Sequence, residues 1–211
     1  MDESVERLIR QIDALRDGRS RILLGITGPP ATGKSTLARS LVAAFVNQGV
    51  PAAYLPMDGF HLANQQLDRL GLRARKGAPE TFDAHGYLAL LQRVRDQPEH
   101  TVYVPDFMRL LDEGVAGALA IAPEAAIVIT EGNYLLLNVV PWVGVRRVLD
   151  AVWYLDAPTN VRRRLVERQE AGGKDRASAE AWADGPDAQN AVLIEATRDQ
   201  ADLVIPPLRL R

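Results

Sequence analysis

The amino-acid sequence predicts an α/β fold, a three-layer α/β/α arrangement around an open parallel sheet. Three observations predict it. Short apolar runs alternate along the chain with segments of helical periodicity. The first of these runs, residues 21–27, is apolar without alternation, as in a strand covered on both faces. A glycine-bearing turn joins that run directly to a helical segment. The 211 residues suit a single domain over residues 1–211.

Each element has its own signal. Val5, Leu8, Ile9, Ile12 and Leu15 share one helical face, with Ser4 as the expected cap and Gly18 as the stop. The strand at 21–27 and its turn follow, then a helix from Thr36 to Val46 that stops near Gly49. A second strand is expected at 52–58, where Pro56 marks a sheet edge or a strand end. Residues 59–81 are polar, basic and irregular. Asp83 is placed to cap a helix through Tyr87, Leu88, Leu91 and Val94 that ends near Pro98. Residues 102–104 form a short strand, and 125–130 and 151–156 are apolar strands. An arginine-rich helix begins at Thr159, and residues 171–186, with Gly172-Gly173, read as a mobile insertion with few core residues. A helix over 188–200 and a strand over 201–205 close the chain before Pro206-Pro207.

Composition narrows the function. Hydrophobic residues are 47% and charged residues 25%, as in a soluble globular protein. A net charge of −2 supplies no field to recruit nucleic acid or an anionic membrane. No cysteine is present, which excludes disulfides, thiolate nucleophiles and cysteine metal sites. The N-terminus is acidic where a secretion signal is basic, and no apolar run approaches the roughly 20 residues of a membrane span. The expectation is a cytoplasmic enzyme, monomer or homodimer, that binds neither nucleic acid nor membrane.

The most specific signal is Gly28-Pro29-Pro30-Ala31-Thr32-Gly33-Lys34-Ser35, followed by Thr36. It fits G-x-x-x-x-G-K-[ST] with a strand before and a helix after, the context of a phosphate-binding P-loop. Backbone amides of the turn converge on phosphates, and the helix adds its positive end. Lys34 reaches the β- and γ-phosphates, and Ser35 offers a hydroxyl to Mg²⁺.

In an open α/β sheet, ligands sit at the carboxyl ends of the strands. Asp58 and Glu131 lie at two such ends. Phosphoryl transfer needs a group to orient and deprotonate the attacking hydroxyl, and another to help hold Mg²⁺. Asp58 is assigned the first role and Glu131 the second, through a metal-bound water. His61, three residues past Asp58, is a candidate substrate contact, whereas His85 and His100 carry no site logic. Asp156 also ends a strand, in a position equally suited to capping. Arg162, Arg163, Arg164, Arg168, Lys174 and Arg176 crowd the stretch leading into the Gly-rich insertion. Arg164 and Arg168 share a helical face, and a basic lid over about 160–186 would exclude water and stabilise charge on phosphate.

Four stretches in order resemble the phosphoribulokinase/uridine kinase group, which includes bacterial pantothenate kinases. They are Gly28–Ser35, Met57-Asp58-Gly59-Phe60-His61, Arg75-Lys76-Gly77-Ala78-Pro79-Glu80-Thr81-Phe82-Asp83 and Thr130-Glu131-Gly132-Asn133-Tyr134-Leu135. The chain is similar in particular to a subgroup labelled fructose transport system kinases. The resemblance implies a five-stranded parallel core with the P-loop strand central, a lid, and ATP with Mg²⁺. It also implies an aspartate base at Asp58 and an acceptor contact at Arg109, and Tyr134 joins the expected acceptor residues. The expected activity is transfer of the γ-phosphate to a hydroxyl of a small molecule: a sugar such as fructose, a nucleoside or a pantothenate-like alcohol. The alternative is a nucleotide-binding regulator or an NTPase without such an acceptor. Against a GTPase, the chain has no Asn-Lys-x-Asp motif.

Overall fold

The computed structural model describes residues 3–97 and 99–208. The chain runs α1 (Glu3–Arg16), β1 (Ile22–Thr27), α2 (Lys34–Asn47), β2 (Ala52–Pro56), α3 (Asn64–Leu70) and α4 (Ala84–Asp96). Next come β3 (Val102–Met108), β4 (Glu113–Ile121), β5 (Ile127–Glu131), α5 (Trp142–Val148) and β6 (Ala151–Leu155). It ends with α6 (Val161–Ala171), α7 (Arg176–Trp182), α8 (Ala188–Glu195) and β7 (Leu203–Ile205).

Five strands form one all-parallel sheet in the order β2-β5-β1-β6-β7, so the strand feeding the phosphate turn is central, as expected. Side chains of β1 alternate between two cores. Ile22, Leu24 and Ile26 pack with Leu8 and Ile12 of α1 and Leu37, Leu41 and Phe45 of α2. Leu23 packs on the other face with Tyr87 and Leu91 of α4 and Trp142 of α5. Burying each of these large aliphatic side chains contributes about 1.5–3 kcal/mol, and together they fix the three layers. Pro56 fulfils both readings offered for it: β2 is an edge strand and Pro56 is its last residue.

Parallel strands share a carboxyl edge. Ile26 lies opposite Glu131, and Glu131 opposite Pro56. The turn after β1, the Asp58 segment and the end of β5 therefore meet on one side of the sheet. Arg21 secures the opposite edge by donating to the carbonyls of Val94, Ala122, Pro123 and Ala125.

Several expectations are corrected. Helix α2 begins at Lys34, not Thr36. Strand β2 ends at Pro56, and Asp58 lies in a single 3₁₀ turn, Met57–Phe60. Residues 59–81 are not wholly irregular, since α3 lies within them. The short strand at 102–104 extends to Met108 and pairs antiparallel with β4, forming a hairpin outside the main sheet. The helix read over 188–200 stops at Glu195, and a 3₁₀ turn, Arg198–Gln200, follows. The segment 171–186 has a packed core of its own. Ala179 of α7 and Ala183 join Leu165 and Val166 of α6. Ser4 lies inside α1 rather than ahead of it, and its side chain is outside the described set. Pro98, named as the stop of α4, also lies outside the described residues. Asp83 does cap α4, accepting from the Gly86 amide at 2.8 Å.

Candidate active site

The turn between β1 and α2 is a strained, enclosed loop. Gly28 and Gly33 take φ of 144° and 103°, which side chains rarely adopt, and Ala31 is held at 61°. Thr27 at the end of β1 donates its hydroxyl to the Asn133 carbonyl at 3.0 Å, tying this loop to the one after β5. Lys34 is only 6% exposed, and its ammonium rests on the Pro29 carbonyl at 2.9 Å. Burial lowers its pKa to about 8, against the opposing pull of Glu131 and Asp58. Thr32 is also buried, and its hydroxyl has no partner among the described residues.

Glu131 ends β5 and is 3% exposed. The Tyr54 hydroxyl donates to its Oε1 at 2.7 Å. Burial and the nearby Asp58 charge raise the Glu131 pKa, while Lys34 and the hydroxyls of Tyr54 and Ser35 oppose that rise. Tyr54 is covered in turn by the Arg39 guanidinium, 4.1 Å from its ring centre. Arg39 pairs with Asp106 of β3 at 3.2 Å. A line of contacts thus runs from the hairpin through α2 and β2 to the end of β5.

The 3₁₀ turn that carries Asp58 is pinned by the hairpin. A side chain at Gly59 would come within 2.5 Å of the Pro105 carbonyl oxygen, so this close approach requires glycine. The His61 ring sets Nδ1 2.8 Å from the Asp58 carbonyl and stacks against Phe82 and Phe107, with centroids 4.0 and 4.8 Å away. Burial lowers its pKa, with Asp58 opposing.

These elements wall one cleft of about 910 Å³. Of the residues expected from sequence, Pro30, Ala31, Gly33, Lys34, Ser35 and Thr36 line it. So do Asp58, His61, Arg109, Glu131, Arg164 and Arg168. Gly28, Pro29 and Thr32 support the loop without lining it. Tyr134 is the correction among the acceptor residues. It is fully buried among Phe82 and Trp142, does not line the cleft, and donates its hydroxyl to the Gly77 carbonyl. It braces the acceptor-side loop from behind.

The arginine cluster divides by geometry. Arg162 pairs with Asp184 at 2.7 Å, Arg163 approaches Glu167 at 3.5 Å, and Arg176 pairs with Glu180 at 2.8 Å. Arg164, Arg168 and Arg109 line the cleft and make no ion pair with any described residue. Arg168 lowers the pKa of Arg109, with burial adding to the effect, so two like charges share the cleft. Two unpaired arginines of α6 and a lysine resting only on a peptide carbonyl form a donor set suited to a polyphosphate. Among the described residues no group of three or more His, Asp and Glu gathers to hold a metal. Asp156, offered for capping, is instead held by Arg198 at 2.8 Å.

Sequence reading missed Tyr54, Trp182, Asp187 and Asn190. Tyr54 left one clue, because a tyrosine in a buried strand needs a partner for its hydroxyl.

A central parallel strand that ends in a phosphate turn, beside a carboxylate and unpaired arginines, defines a P-loop kinase. The chain belongs to the phosphoribulokinase/uridine kinase family, whose sequence profile matches residues 23–211. A Schizosaccharomyces pombe protein named "putative uridine kinase" is 32% identical over 99% of this chain and 92% of its own length. A Bradyrhizobium pantothenate kinase is 30% identical over 80% of this chain, and the match spans 55% of that enzyme. The crystal structure of a Silicibacter protein named "putative fructose transport system kinase" superposes with a TM-score of 0.87 at 40% identity. That match covers 96% of this chain and 98% of the other. The protein is a small-molecule kinase, a phosphotransferase with a hydroxyl acceptor. No helix among the described residues is long and apolar enough to cross a membrane.

Proposed function

We propose that the protein transfers the γ-phosphate of ATP to a hydroxyl of a small molecule held between Asp58 and the β3–β4 hairpin. One observation carries this reading. A donor set for a triphosphate and the half-buried Asp58 carboxylate line the same cleft. The turn amides, Lys34 and the N-terminus of α2 hold the β- and γ-phosphates. Ser35 and Glu131 would hold Mg²⁺, which when bound neutralises charge on the β- and γ-oxygens. Asp58 accepts the proton of the acceptor hydroxyl. The acceptor oxygen then bonds to the γ-phosphorus, and the bond to the β–γ bridging oxygen breaks to release ADP. Arg164 and Arg168 stabilise charge on the moving phosphoryl group. His61 and Arg109 contact the acceptor side.

Sugars such as fructose, nucleosides and pantothenate-like alcohols all present a suitable hydroxyl, and the relatives' names span these classes. The working compartment in this reading is the cytoplasm. The test is an ADP-release screen of the purified protein with ATP and Mg²⁺ against these acceptors. At least one acceptor should raise ADP release well above the acceptor-free rate. A rate that no acceptor changes rejects the kinase reading in favour of an NTPase or a nucleotide sensor.

A further inference from the structure

We propose that Asp187 determines acceptor specificity, its carboxylate reading a pair of hydroxyls on an uncharged, polyhydroxylated molecule. The inference rests on the kinase reading of this cleft and narrows its acceptor class.

Residues 183–187 form a π-turn containing Pro186, which returns the chain from the lid helix α7 to α8. Such turns recur at functional sites. Asp187 closes the turn and lines the cleft. Asn190, one helical turn further on, also lines it and donates to the Gly77 carbonyl at 3.2 Å. The same carbonyl receives the Tyr134 hydroxyl. The Tyr134 phenol in turn feels the charges of both Asp58 and Asp187. Both carboxylates line the cleft, one to meet the reacting hydroxyl and the other to meet the rest of the acceptor.

The charge inventory at this end separates acceptor classes. Lys76 spends its three N–H donors on Asn64 Oδ1 at 2.7 Å, Asp112 Oδ2 at 2.8 Å and the Asp112 carbonyl. It has no donor left for an acceptor anion. Arg73 is engaged with Asp68 at 3.4 Å. Arg109, on the acceptor side, shares the cleft with Asp58 and Glu131, whose carboxylates oppose the lowering of its pKa. Asp187 has no ion-pair partner among the described residues. Its contact is a long 3.3 Å bond from Gln169; burial raises its pKa, and Arg168, Gln169 and Lys174 oppose that rise. A carboxylate or phosphate of the acceptor set against Asp187 would place two anions side by side. Two adjacent hydroxyls would instead give one donor to each carboxylate oxygen.

The test compares neutral polyols (hexoses, pentoses, alditols and nucleosides) with hydroxy acids such as glycerate and pantothenate as acceptors for the wild-type protein. Asp187→Asn and monodeoxy analogues of the best acceptor complete the set. A neutral polyol should be the best acceptor. Asp187→Asn should raise its KM about 10- to 100-fold, with a smaller change in kcat, as expected for loss of a hydrogen bond to a charged group. Removing one of the paired hydroxyls should cost the wild type a similar factor and the variant much less. A hydroxy acid as best acceptor overturns the inference and leaves the kinase reading standing. So does a neutral acceptor whose KM is unmoved by Asp187→Asn. The absence of any productive acceptor overturns both.

Discussion

At the scale of single residues, the site sets two carboxylates in different surroundings. Asp58 stands half-buried on a turn at the cleft wall, whereas Glu131 is enclosed at a strand end and held by Tyr54. The difference suits a proton acceptor and a fixed metal holder. Asp58→Asn keeps the shape and removes the base, so kcat should fall by about 10² or more, with ATP affinity measured by calorimetry nearly unchanged. A fully active variant rejects the assignment. Tyr54→Phe removes one hydroxyl, 2.7 Å from Glu131. Hydrogen bonds to charged groups contribute about 1.5–3 kcal/mol, so the Mg²⁺ concentration for half-maximal rate should rise about tenfold or more. An unchanged Mg²⁺ titration would show that Tyr54 leaves Glu131 unaffected.

At the scale of elements, α6 carries two kinds of arginine on one helix. Arg162 faces out to Asp184, and Arg168 faces the cleft without a counter-ion among the described residues. Exposed ion pairs contribute about 0–1 kcal/mol, so Arg162→Ala should leave kcat/KM for ATP within about a factor of three. Arg168→Ala should lower it by about 10² or more, as expected for lost charge stabilisation at a transferring phosphoryl group. Equal effects from both substitutions would mean that α6 does not act as a lid. Helix α6 is backed on its other side, where Ala179 of α7 and Ala183 of the turn after it supply the surface on which Leu165 and Val166 settle.

At the scale of the whole molecule, the sheet separates two cores that must form together. Leu24 lies on the central strand and is fully buried. Leu24→Ala should cost about 2–5 kcal/mol, read as a lower denaturant midpoint with the slope unchanged. A shift under 1 kcal/mol would mean that the α1–α2 face is loosely packed. The central architecture was legible because strands covered on both faces leave uninterrupted apolar runs, as in β1, β5 and β6. The hairpin was hidden because it lies outside that sheet. Pro105 and Asp106 interrupt β3, and the small residues of β4 carry no clear alternation. Helix α3 buries only Leu67, too little for an apolar stripe. The small core between α6 and α7 escaped notice because alanine carries little hydrophobic signal. In the site, residues borne by a local motif were readable. Tyr54 was not, since its partner is 77 positions away and only the β2–β5 pairing brings them together.

The hairpin is a separate two-stranded sheet whose base packs Val102, Val104 and Ile121 into the core, while its outer part grips Gly59 and carries the Arg39–Asp106 pair. In the proposed reading, the turn after β1 handles the triphosphate while the hairpin walls part of the acceptor side. Exchange of the hairpin tip offers a way to alter that wall while the triphosphate turn stays intact, provided Gly59 and Asp106 are retained.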